Sequence, residues 1–128
     1  MFKLKQGGHF RWPVKFSWPD NGRFVERQFD VTFKRVQTDA INRASKDIRD
    51  GDAMSQIARF LDDVVVAVHD IELTDANDQP ITDPEQMRQA MLAEPTIALA
   101  MYAAFTEALA GGVDREAARK NSPAPRST

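Results

Sequence analysis

Cysteine is absent from the 128 residues. That removes disulfide frameworks, thiolate zinc sites and cysteine nucleophiles together, and a life in the reducing cytoplasm is the simplest expectation. Histidine is nearly absent as well: His9 and His69 are far apart in the chain and offer too few ligands for a metal site. Long hydrophobic runs are missing. The stretch Val64 to Val68 is far short of the roughly 20 apolar residues that cross a bilayer, and Met1 to Gly8 lacks the apolar centre of a signal peptide. Glycine-rich phosphate loops and a Gly-x-Ser-x-Gly elbow are also lacking, so neither nucleotide cradling nor hydrolase chemistry has a foothold. The acidic run Asp75-Ala76-Asn77-Asp78-Gln79-Pro80 begins like a calcium loop, but Pro80 occupies the place of the obligatory glycine and Gln86 that of the closing glutamate. Asp62, Asp63, Asp70 and Glu72 form no legible acid and base pair. No catalytic, cofactor or metal residue is expected, and the chain is read as a binding protein and not an enzyme.

Charge is small in sum and uneven in place. The net charge of −2 argues against bulk attraction to nucleic acid. Cations nevertheless gather early, at Lys3, Lys5, Arg11, Lys15, Arg23, Arg27, Lys34 and Arg35.

Apolar residues alternate at Phe10, Trp12, Val14, Phe16 and Trp18, and again at Phe29, Val31 and Phe33, on either side of the turn signal Pro19-Asp20-Asn21-Gly22. Period-two patterning around such a turn predicts an antiparallel β-hairpin with one aromatic face, Pro13 suiting an edge strand. A third short strand is expected from Phe2 to Leu4. The aromatic face needs a cover, since a lone hairpin is at best marginal in water. Helical spacing supplies it. Thr38 or Asp39 caps a helix carrying Ile41, Ala44 and Ile48 and ending near Gly51, and Asp52 caps a second helix running to about Val66. Asp75 to Pro80 is a loop. A short helix follows with Met87, Met91 and Leu92, capped by Thr82 or Asp83 with Pro84 at a first helical position and Thr82 able to form a box with Glu85, then a last helix from Pro95 to Ala110 ended by Gly111-Gly112. The expected fold class is α+β, a single domain over residues 1–111 in which a hairpin is packed by about four helices, with a flexible tail over 112–128.

Three blocks in order carry a resemblance: Phe60-Leu61-Asp62-Asp63-Val64-Val65-Val66, then Asp75-Ala76-Asn77-Asp78-Gln79-Pro80-Ile81, then Glu94-Pro95 opening a helix with Tyr102, Phe105, Glu107, Ala108 and Leu109. In this order the chain resembles the tail assembly chaperones of long-tailed bacteriophages and prophages. The likeness covers about the C-terminal two-thirds. It departs from the family at His69, where an aromatic is common, and at Ile81-Thr82-Asp83-Pro84, where a Pro-Phe-Ser-like start is common.

The resemblance implies a protein of the host bacterial cytoplasm that binds and solubilises the tape-measure protein, helps recruit tail-tube subunits, and is absent from the finished particle. It also implies self-association, and a longer product of ribosomal frameshifting that reaches the tail-tube protein, with the tail as linker. Candidate partner-binding residues are Met87, Met91, Ile97, Met101, Tyr102, Phe105 and Leu109, with Phe105 and Leu109 favouring the core and Met87, Met91 and Tyr102 the contact surface. The alternative in another class is a structural tail or connector subunit retained in the virion. A small nucleic-acid-binding regulator is the third, resting on Arg11 and Lys15 beside aromatics. Alternation puts those cations on the face opposite the rings, which disfavours a stacking platform.

Overall fold

Asn21 and Gly22 take φ angles of 50° and 81°, the paired left-handed conformation that a two-residue hairpin turn demands. From them β1 (His9–Asp20) and β2 (Arg23–Lys34) run antiparallel in unbroken register, Asp20 opposite Arg23 and His9 opposite Lys34. The structure, a computed structural model, describes residues 1–4 and 7–121, with side-chain surroundings for 1–4 and 7–110.

Alternation sorts the two faces of the hairpin as its sequence requires. Val14, Phe29, Val31 and Phe33 are buried, with Phe10, Trp12, Phe16 and Trp18 half-buried beside them. On the opposite face Arg11 Nε donates to Asp30 at 2.8 Å, and the same guanidinium reaches Asp70 at 2.8 Å. The hydrogen bond to Asp30 is the chief reason that the Arg11 pKa lies above its ordinary value.

Two helices follow. In α1 (Thr38–Asp50) the capping position is Gln37 and not Thr38 or Asp39, while Asp39 accepts from the Ala40 amide at 3.0 Å within the first turn. No residue of α1 is fully buried. Asp52 stands at the N-cap position of α2 (Ala53–Val64) as expected, with no capping hydrogen bond from its side chain, and the Ser55 hydroxyl donating to it at 2.8 Å holds its carboxyl below the usual range.

The third strand lies elsewhere than expected. Phe2 is 84% exposed and residues 1–4 form no strand. Instead α2 stops at Val64, short of the expected Val66, and the chain passes directly into β3 (Val65–His69). This strand pairs antiparallel with β2, giving sheet order β1-β2-β3. The β-branched run lowers helix preference and suits the pleated surface, and β2 had an unpaired edge to satisfy. Val31 faces Val68, Phe33 faces Val65, and Val66 is the extra residue of a bulge.

Asp75 organises the next turn with its side chain, Oδ1 accepting from the amides of Asn77 at 2.8 Å and Gln79 at 3.0 Å. The turn joins the two-residue strands β4 (Leu73–Thr74) and β5 (Pro80–Ile81). Of the two caps the sequence offers, Asp83 takes the position before α3 (Pro84–Ala93), accepting from the Gln86 amide at 3.0 Å with Pro84 in the first turn. After a break at Glu94, α4 spans Pro95–Asn121. Gly111-Gly112 therefore does not end it. Glycine stops a helix by adopting a left-handed conformation, and both residues are helical here. Of the expected flexible tail, positions 122–128 lie outside the described residues.

Arg88 joins the layers. Only 8% exposed, it donates from Nε to the Val65 carbonyl at 2.7 Å and from one terminal nitrogen to the Asp62 carbonyl and, at 2.9 Å, to the Asp62 carboxylate; the other terminal nitrogen reaches Glu85 at 3.0 Å. The Asp62 and Val65 carbonyls stand at the C-terminal end of α2, where a helix leaves acceptors unpaired. The substitution Arg88→Ala removes every one of these donors and should cost about 2–4 kcal/mol in urea unfolding. Arg88→Lys, with one point charge for a planar fork, should recover less than half of the loss.

Candidate functional site

The last helix lies against the hairpin and against α2. Its inner side carries Ile97, Ala98, Met101, Ala104 and Phe105, all buried. Phe105 stands edge-on to Phe33 at 5.2 Å and to Phe60 at 5.3 Å, and tilted against Phe10 at 6.1 Å. One ring thus locks the helix to both strands of the hairpin and to α2.

The outer side is different. Leu99 is 48% and Leu109 40% exposed, and Tyr102 is half-buried with its ring edge-on to Phe60 at 6.0 Å. With exposed Thr106, whose hydroxyl bonds back to the Ala103 carbonyl at 2.9 Å, these residues fall at 99, 102, 106 and 109. That alternation of three and four is the spacing at which one helix meets another.

The structure therefore divides the residues singled out from sequence. Met91, Ile97, Met101 and Phe105 are core, and Met91 is 1% exposed, so it cannot meet a partner without the fold opening. Met87 and Tyr102 are half-buried and accessible. Leu109, favoured for the core, is exposed: one turn past Phe105 it continues the buried stripe, but among the described side chains no residue of α4 beyond Phe105 is buried. Leu99 was not singled out at all, although its spacing from Tyr102 and Leu109 was legible. Met87 lies on α3 and is not part of the α4 row.

Most of the polar groups weighed in the sequence are engaged by neighbouring side chains. His69 Nε2 lies 2.7 Å from the Thr32 hydroxyl, on the outer face of the sheet, and His9 is exposed. Asp62 is engaged by Arg88 and Asp70 by Arg11. Among the described residues no three His, Asp or Glu side chains are grouped to hold a metal ion, and no helix is long and apolar enough to cross a membrane. Comparison of the chain with protein-family models, curated proteins and solved structures finds no match.

The row on α4 separates surface from core in a way that substitution can read. Phe105→Asp buries an unpaired carboxylate among three rings and should cost on the order of 4 kcal/mol or more, unfolding the domain. Leu109→Asp should move stability by only about 0.5 kcal/mol. Tyr102→Asp falls between, at about 1–2 kcal/mol, because one edge-to-face contact is lost. Thermal unfolding followed by circular dichroism checks the order.

Proposed function

We propose that the chain is a tail assembly chaperone of a long-tailed phage or prophage, acting in the bacterial cytoplasm on the tape-measure protein before tube polymerisation. The observation that carries the reading is the accessible row Leu99, Tyr102, Thr106 and Leu109, on the same helix that the resemblance places at the end of its pattern. A partner helix laid along it would bury apolar side chains at alternating three- and four-residue steps, the groove-and-ridge geometry by which helices recognise one another.

The proposed mechanism is reversible cover. Leu99 and Leu109 each offer a fraction of a fully buried leucine, worth about 1.5–3 kcal/mol in full, so one copy holds a client weakly. Many copies along one long client gain avidity without a strong site, and release needs no large input of energy. In the same proposal a longer frameshifted product carries the contact to the tail-tube protein, and Arg119-Lys120-Asn121 is where an adenine-rich slip site would be encoded.

Co-expression with the tape-measure gene from the same genomic neighbourhood tests the reading. The tape-measure protein should become soluble and co-purify, and the double variant Leu99→Asp/Leu109→Asp should lose it while keeping the fold. A tape-measure protein that stays insoluble beside the folded chain, with the chain abundant by mass spectrometry in purified particles, would sink the proposal in favour of a structural tail or connector subunit.

A further inference from the structure

The two long strands each leave an edge bare, and the sequence treats those edges differently. Asp20 and Arg23 flank a two-residue turn, which makes them a hydrogen-bonded pair, and such pairs recur at every second position along the ladder. The Arg35 amide, donating to the Gly8 carbonyl at 2.9 Å, fixes the same phase at the far end. In β1, therefore, His9, Arg11, Pro13, Lys15, Ser17 and Pro19 turn their backbone groups away from β2. Both prolines fall in this set, where the amide they lack has no ladder bond to lose. With Lys15 between them they guard the β1 edge against a further strand.

The edge of β2 has no such guard. On that side β3 pairs only from Asp30 to Phe33, and the chain turns away at Asp70, where φ is 60° and the carboxylate reaches Arg11. The outward groups of Phe24, Glu26 and Gln28 lie beyond it, with no backbone partner among the described residues. The Glu26 carbonyl has only the guanidinium of its neighbour Arg27, at 3.3 Å. The outer edge of β3 is closed by contrast, since Arg88 holds the Val65 carbonyl and α3 packs alongside. From Arg23 to Phe29, at about 3.3 Å per residue, β2 thus offers roughly 20 Å of open edge.

The side chains along this edge say what suits it. Phe24, 74% exposed, shares the outer face with Glu26 and Gln28, while Val25 and Arg27 share the inner face. Among the described residues neither Glu26 nor Arg27 makes an ion pair, and the Glu26 carboxylate accepts only from the Ser17 hydroxyl. Residues directly opposite in a neighbouring strand pair by charge and by apolar contact.

We propose that β2 between Arg23 and Phe29 accepts an extended segment of a partner protein, added antiparallel and end to end with β3. Its backbone bonds to Phe24, Glu26 and Gln28. Its side chains place a carboxylate opposite Arg27, a cation opposite Glu26 and apolar groups opposite Val25 and Phe24. The site uses neither Tyr102 nor the outer row of α4, and stands or falls apart from the client reading.

The probe is the capped peptide acetyl-Thr-Glu-Lys-Val-Tyr-Thr-amide, written in the order that runs from Gln28 to Arg23. Amide exchange followed by nuclear magnetic resonance reads the site. In the free protein the Phe24, Glu26 and Gln28 amides should exchange freely at any dilution, and saturating peptide should slow them about tenfold or more. The Lys15 and Ser17 amides, on the guarded edge, should keep their rates. Glu26→Pro, which gives β2 the guard that β1 has, should weaken binding about tenfold or more, and so should N-methylation of the peptide lysine, which leaves the protein's fold untouched. Arg27→Glu should reverse the preference, toward a peptide with lysine in place of its glutamate. Amides of Glu26 and Gln28 that are already slow in the free protein, or that stay fast with peptide at about 5 mM, would overturn the proposal. So would protection that appears at Lys15 and Ser17 instead, an N-methylated peptide that binds as well as its parent, or a preference unmoved by Arg27→Glu.

Discussion

The fold turns on a corner with no loop in it. Helix α2 ends at Val64 and strand β3 begins at Val65, so the carbonyls at the end of the helix have neither a following turn nor a glycine cap to receive them. Arg88 receives them from another helix. Its planar fork bonds the Asp62 and Val65 carbonyls at once, and the two carboxylates that balance its charge, Asp62 and Glu85, stay more than half exposed and need little desolvation. Anchoring α3 in this way constrains the path of the chain beyond it. With the break at Glu94 short, α4 has little freedom in where it can lie, and Phe105 is delivered into the gap between Phe33 and Phe60. The end of α2, the start of the sheet's third strand and the position of α3 are thus held together by one side chain bonded to a helix end.

Very little of that corner could be read from the residues alone. The hairpin could, because alternation and an Asn-Gly turn state the same thing twice and each fixes the register of the other. Asp52 and Pro84 marked their helices for equally local reasons. The run Val64 to Val68 is different: it continues the helical phase of Leu61 and is also a strand by composition, and only the free edge of β2 decides between them. A contact some thirty residues away in sequence is invisible to any local pattern. The same holds for Arg88, which on a helix surface reads as one more solvated cation until its partners are known.

On the last helix the sequence was ambiguous in a more instructive way. Apolar residues and alanines surround most of its circumference, so periodicity could not say which side faced inward. Phe105 settles the matter through size, as the one large ring on α4 able to bridge the hairpin and α2, and once it is inside, Met101, Ile97 and Ala104 must follow by helical geometry. Leu99 is then turned outward, and Leu109, one turn past Phe105, lies beyond the last buried residue of the helix among the described side chains. Their exposure follows from packing, and no local feature of either residue announces it.

Exposed apolar side chains on a small domain invite aggregation, yet here they are kept apart. Leu99 and Leu109 stand nearly three turns from each other on α4 with a half-buried tyrosine and a threonine between, and Phe24 lies beside the hairpin turn near Asp20, Arg23 and Glu26. None makes the wide continuous patch that drives nonspecific association. Each isolated site is too small to hold a partner by itself, and a stable complex must engage several in register. Weak elementary contacts at fixed spacing discriminate by geometry: a partner whose own repeat does not match gains one contact and loses the rest. That constraint applies to any partner of repeating structure, and it is the physical reason why contacts of this size favour binding that is both selective and easily reversed.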